Sequence, residues 1–116
     1  MSKGMQGRIG GGIRIRGELR GEEDLVIQGK VEGTITFPRN HLTVDSQALI
    51  TANVDVHEIT VKGEVQGNTT ASNRVEILAD AKVAGDIRAP RLVMQDGARF
   101  RGRVDMQVDL PPGLID

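Results

Sequence analysis

Near-identical units recur along this chain every 16 or 17 residues, each with an apolar residue at alternate positions, and few folds accept such a pattern. The stretches LVIQGKVEGTI (residues 25–35) and ITVKGEVQGNT (59–69) show it most plainly. A beat of two is the side-chain alternation of a β-strand. The first aliphatic residues of successive units are Leu25, Leu42, Ile59, Val75 and Leu92, with spacings of 17, 17, 16 and 17 residues. A shorter unit opens at Ile13. Each unit has three parts: an aliphatic pair at i and i+2, a small–large–small triplet at alternate positions, and a second pair. In the second unit these are Leu25/Ile27, Gly29-Val31-Gly33 and Ile35/Phe37; in the last they are Leu92/Met94, Ala98-Phe100-Gly102 and Val104/Met106. The first unit supplies Ile13/Ile15 and Gly17-Leu19-Gly21 without a third part, as terminal repeats often depart from the rest.

Three inward-facing stretches per unit describe a coil with three walls. A five-residue strand spans roughly 17 Å, so one unit circles a triangular core once, and successive coils stack about 4.8 Å apart. The expected fold is all-β: a right-handed parallel β-helix of about six coils over residues 13–106. A flexible N-terminal tail (1–12) and a flexible, Pro-containing C-terminal tail (107–116) flank it, so trimming residues 1 to 8 should leave the fold intact. Right-handed crossover is the rule for parallel strands, and the chain lacks the strict six-residue beat of left-handed hexapeptide helices. The corner between the first two walls is tight in the Ile13, Leu25 and Ile59 units and carries three residues (DSQ, LAD, QDG) in the others. Gly and Ala at the triplet edges fit converging walls and the bends between them. No window keeps the 3.6-residue beat of a helix, and an antiparallel barrel or sandwich does not explain equal spacing of near-identical units.

Composition agrees with a narrow interior. Trp and Tyr are absent and Phe numbers two, so aliphatic and β-branched residues must fill the core. With no Cys there is no disulfide or thiolate metal site, which fits a reducing cytoplasm. A net charge of −1 and a pI near 6.1 give no bulk signal for nucleic acid, which is not expected as a direct partner. Neither a signal-peptide core nor a run of about eighteen apolar residues is present.

The sequence offers no catalytic residue, metal site or cofactor site, and the chain does not read as an enzyme. His41 and His57 are the only histidines, one short of the three protein ligands of a catalytic zinc site, and read as solvated corner residues. Carboxylates are scattered over outward positions, with no pair set for acid–base work. GGG at 10–12 lacks the Lys-Ser/Thr of a phosphate loop. Asp24, His41, Glu58, Arg74 and Arg91 each precede the first aliphatic of a coil and should stack as a charged corner ladder.

The ends carry the functional signal. An open β-helix leaves unpaired backbone groups and apolar side chains on its terminal coils unless a cap covers them. After Met106 only QVDLPPGLID remains, and Pro111-Pro112 cannot add a hydrogen-bonding strand. The expected outcome is stacking of ends between molecules through Leu92, Met94, Phe100, Val104 and Met106 at one end and Ile13, Ile15 and Leu19 at the other. Arg14, Arg16 and Arg20 on the first coil, and Arg99, Arg101 and Arg103 on the last, form basic bands that would suit an acidic protein, anionic lipid or nucleic-acid backbone. A solvated surface that keeps the rod soluble is the simpler account of these bands.

Segments such as RGELRGEEDLVIQGKVEGTI, TVKGEVQGNTTA and AKVAGDIRAPRLVMQDGARFRG closely resemble the bactofilins, from about Ile9 to Met106. The resemblance implies a polymer-forming bacterial cytoskeletal protein of the cytoplasm. It assembles end to end without nucleotide, in non-polar filaments, and works with other bactofilins and client proteins of cell shape, cell-wall synthesis or chromosome organisation. Many members also carry a hydrophobic N-terminal anchor. MSKGMQGRIGGG has no comparable apolar segment, so a peripheral place at the inner membrane has no sequence signal here. The competing reading is a monomeric β-helical module that binds an acidic protein, anionic lipid or nucleic acid through its basic bands.

Overall fold

The computed structural model describes residues 6–105, which form twelve strands and no helix. The strands stack in three parallel ladders. The first wall is built from β1 (Gln6–Ile9), β3 (Asp24–Ile27), residues 42–44 of β4 (Lys30–Val44), 59–61 of β5 (Leu49–Val61), 75–77 of β7 (Thr69–Ile77), and β10 (Leu92–Met94). The second takes residues 14–17 of β2 (Arg14–Arg20), 30–33 of β4, 49–52 of β5, then β6 (Glu64–Gln66), β8 (Lys82–Ala84) and β11 (Arg99–Arg101). The third takes residues 18–20 of β2, 34–37 of β4, 54–56 of β5, 69–71 of β7, then β9 (Ile87–Arg88) and β12 (Val104–Asp105). Every ladder has one strand per coil. The chain is a parallel β-solenoid of about six turns, as its period demands.

Alternate positions of each strand point inward, and this fills the core without large aromatics. Ile27, Val31, Ile35, Leu42, Ile50 and Ile77 are fully buried. Burying each such side chain contributes about 1.5–3 kcal/mol. Phe37 is buried too, and its ring lies against Gly21 of the preceding coil, where an added Cβ would come within 3.0 Å of a ring carbon. Gly21 therefore makes the space that the ring occupies. Thr69 is the exception among inward positions: it is 3% exposed and its hydroxyl has no hydrogen-bond partner. A buried unpaired hydroxyl costs about 1–3 kcal/mol, and Val has nearly the same shape. Thr69→Val should raise the unfolding free energy by about 1 kcal/mol, read as a higher midpoint in chemical denaturation.

The first coil differs from its expected frame. Gly7 and Ile9 stand opposite Leu25 and Ile27, Ile15 opposite Val31, Gly17 opposite Gly33, and Leu19 opposite Ile35. The coil thus has all three walls, and its first strand lies inside the stretch read as a tail. Trimming residues 1 to 8 would remove most of β1 and uncover the edge of β3. Ile15 is the large centre of its triplet, not the second half of a pair, and Leu19 belongs to the third wall. Ile13 holds the leading, corner place of that triplet, where Ala48, Ala81 and Ala98 stand in later looped coils.

That alignment also regroups the corners. Four looped corners close with the same backbone bond: Ile13 N–H to Gly10 (3.1 Å), Ala48 to Asp45 (2.9 Å), Ala81 to Leu78 (3.1 Å) and Ala98 to Gln95 (3.1 Å). The first coil is looped, not tight. The two tight corners turn at Gly29 and Gly63, each nested against the looped corner of the coil before it. A Cβ at Gly63 would approach the carbonyl oxygens of Asp45 and Ala48 within 3.0 Å. At the next corner Gly33, Gly67, Gly85 and Gly102 share a positive φ between 122° and 142° and lie directly beneath the backbone of the preceding coil.

Candidate assembly surfaces

The two ends of the solenoid expose what its middle buries. Among the described residues, β1 and β2 at one end, and β10, β11 and β12 at the other, have a strand partner on one side only. In the second wall Phe100 stands below Val83, which is buried, and is itself half-buried. Met94 stands below Ile77 in the first wall and Val104 below Ile87 in the third. Ile77 and Ile87 are 0% and 1% exposed, against 42% for Met94 and 39% for Val104. Leu92 is half-buried beside them. Met106 lies outside the described residues. At the N-terminal end Ile15 and Leu19 are half-buried, whereas Val31 and Ile35 beneath them are fully covered. Ile13, at 49% exposed, stands at the rim of that face rather than on its inner wall.

Between the ends, the corner before the first wall carries the charged ladder. The backbone N–H of His41 donates to Asp24 Oδ1 (3.0 Å), and His41 Nδ1 faces Glu58 Oε1 (3.4 Å). Glu58 Oε2 accepts from Asn73 Nδ2 (2.6 Å) and faces Arg74 (4.0 Å). Such half-buried surface pairs contribute about 1 kcal/mol or less each, so the ladder fixes register more than it adds stability. The imidazoles turn to different hydroxyls: His41 Nε2 to Thr60 Oγ1 (2.8 Å) and His57 Nδ1 to Ser72 Oγ (2.9 Å). They do not converge on a shared site. At the looped corner of the third coil, Gln28 Nε2 and the N–H of Ser46 donate to Asp45 (3.0 and 2.7 Å), holding that carboxyl below its usual range.

The basic residues separate by wall. Arg14, Arg16, Arg99 and Arg101 all point outward from the second wall, at its two ends. Arg20 lies on the third wall, where it pairs with Glu18 (3.0 Å), and Arg103 just precedes that wall's last strand. Lys30 and Lys82 join the second wall as inner members of the same face. The reading from sequence missed them because it grouped charge by coil rather than by wall.

A family profile described as "Bactofilin: Polymer-forming cytoskeletal" matches residues 7–105, the stretch that builds the six coils. The chain belongs to the bactofilin family. Three bactofilins of Myxococcus xanthus (strain DK1622) are similar to it. BacP is 47% identical over 107 residues, 92% of this chain but 44% of BacP. BacO is 44% identical over 100 residues, covering 86% of this chain and 79% of BacO. BacN is 52% identical over 114 residues, covering 98% of this chain and all of BacN. The chain therefore spans less than half of BacP and matches BacN throughout. No solved structure matches it. As a bactofilin it falls in a family of polymer-forming cytoskeletal proteins, and among its described residues no helix is long and apolar enough to cross a membrane.

Proposed function

We propose that this bactofilin assembles end to end, without nucleotide, into cytoplasmic filaments that scaffold other proteins. One observation carries the reading: inward-facing apolar residues are covered in every middle coil and uncovered in the last, as Met94 and Val104 show beside Ile77 and Ile87. Single-sided strands at both ends supply the backbone donors and acceptors that another rod would pair. Stacking two end faces removes apolar surface from water and satisfies those groups together. The contact regions are Leu92, Met94, Phe100 and Val104 at one end and Ile13, Ile15 and Leu19 at the other. If each end meets its own kind, as the family resemblance suggests, both contacts are isologous and the filament has no polarity. A scaffold follows from geometry: any site on the outer walls recurs along the rod, and weak client contacts gain from multivalency.

Purified protein in nucleotide-free buffer should sediment as a large species and show filaments by negative-stain microscopy. A monomer that persists at high protein concentration would overturn the proposal and favour a monomeric binding module.

A further inference from the structure

The three outer walls differ in charge. On the second wall the outward positions of the six coils hold Arg14 and Arg16, Lys30 and Glu32, Leu49 and Thr51, Glu64 and Gln66, Lys82 and Ala84, then Arg99 and Arg101. Six cations against two carboxylates leave that face at +4, on a chain whose net charge is −1. The third wall is slightly acidic by contrast, with Glu18, Asp55 and Asp105 against Arg20 and Arg88, and both cations are paired, Arg20 with Glu18 (3.0 Å) and Arg88 with Asp105 (3.4 Å). On the second wall only Arg16 has a carboxylate within reach, Glu32 at 3.6 Å. Arg14, Lys30, Lys82, Arg99 and Arg101 have none within 4.0 Å among the described residues, and all five are exposed. The lower half of this face is also concave: Lys82, Arg99 and Arg101 border a shallow depression that Glu64, Gln66 and Ala84 also line, three cations against one carboxylate.

We propose that the outer face of the second wall is a docking surface for an extended acidic polypeptide segment. Spacing favours that occupant. Arg99 and Arg101 project from one strand about 6.6 Å apart, two residues at roughly 3.3 Å each, and acidic side chains on alternate positions of an extended peptide repeat at the same interval. The neighbouring coil adds Lys82 about 4.8 Å away, so several carboxylates find cations from a single short segment. A bilayer fits less well. The face offers no outward aromatic or clustered apolar side chains to enter the headgroup layer. Single-stranded nucleic acid also fits less well, since no outward position of this wall holds an aromatic ring to stack a base. Each subunit carries the whole face, so docking does not depend on how the ends associate.

The test uses the full chain with fluorescently labelled poly-L-glutamate, followed by fluorescence anisotropy at 50 and 200 mM salt, a readout that does not require the protein to pellet. Binding should weaken at least tenfold between the two conditions, because the contact is between exposed charges. Lys82→Glu with Arg101→Glu should lower binding at least tenfold, and Lys82→Gln with Arg101→Gln should give an intermediate loss. Arg88→Glu on the third wall should stay within twofold of the parent. All three sites are outward-facing, and circular dichroism checks that the fold is kept. Equal losses from the two walls, unchanged binding in the second-wall variants, no binding at 50 mM salt, or tighter binding to phosphatidylglycerol vesicles or duplex DNA would each overturn the proposal.

Discussion

Phe100→Arg is expected to yield a folded solenoid that no longer forms filaments. Phe100 pairs in register with Val83 and extends the central column of the second wall, Ile15, Val31, Ile50, Val65 and Val83, to its last member. Every other member below the first coil has a coil on both sides. Phe100 has one on a single side and packs against the core only in part. In an isolated subunit an Arg at this place can turn its guanidinium to water, so the fold loses one half-buried ring. At a junction the same charge would be sealed between two end faces with no carboxylate placed to meet it. An unpaired buried polar or charged group costs several kcal/mol, and about 4 kcal/mol is roughly a thousandfold in association constant. Circular dichroism should still report β-structure while sedimentation shows a small species, a dimer if the N-terminal faces still meet. Filaments in this variant would place the contact elsewhere. Unfolding would make Phe100 an ordinary core residue.

The six-coil architecture could be read from the sequence because a stacked core repeats its demands. Position after position needs an aliphatic residue facing in, so Leu25, Leu42, Ile59, Val75 and Leu92 announce the turns. The first coil escaped that logic for a physical reason. A terminal coil packs on one side only and tolerates departures that a middle coil would not. Gly7 fills the slot that Leu25 holds one turn later, and Ile13 fills a slot that is Ala in the other looped coils. Ile13 and Ile15 then mimic an opening pair at i and i+2. The same misalignment hid the basic face. Arg14 and Arg16 seemed to start the first wall, and only the ladder pairing brings them, Lys30, Lys82, Arg99 and Arg101 onto one surface. Alternation tells which residues point outward; it does not tell which outward residues share a wall until every coil is in register.

The largest stability loss is expected where backbone packs on backbone. At Gly67 the φ is +123°, and an added Cβ would come within 3.0 Å of the Ala52 carbonyl oxygen in the coil above. Val there meets two costs at once. A β-branched residue at positive φ is strained by about 1–3 kcal/mol, and overpacking a close-packed site costs about 1–3 more. A total of roughly 2–6 kcal/mol is a large share of the 5–15 kcal/mol that typical domains have. At about 4–8 °C per kcal/mol for a small domain, the melting temperature should fall by about 8 °C or more. Two controls separate the causes. Gly12 is open, with no atom within 4 Å of an added Cβ and no positive φ, so Gly12→Ala should melt like the parent. Gly17 has the same backbone conformation as Gly67, φ +120°, but sits in the first coil with nothing within 4 Å of its missing Cβ. Gly17→Ala therefore measures conformational strain alone, and Gly67→Ala measures strain plus contact with the coil above. The larger loss should belong to Gly67. Equal losses would mean that the glycine column serves the bend rather than the stacking of coils, and a Gly67→Val protein melting near the parent would dismiss both causes.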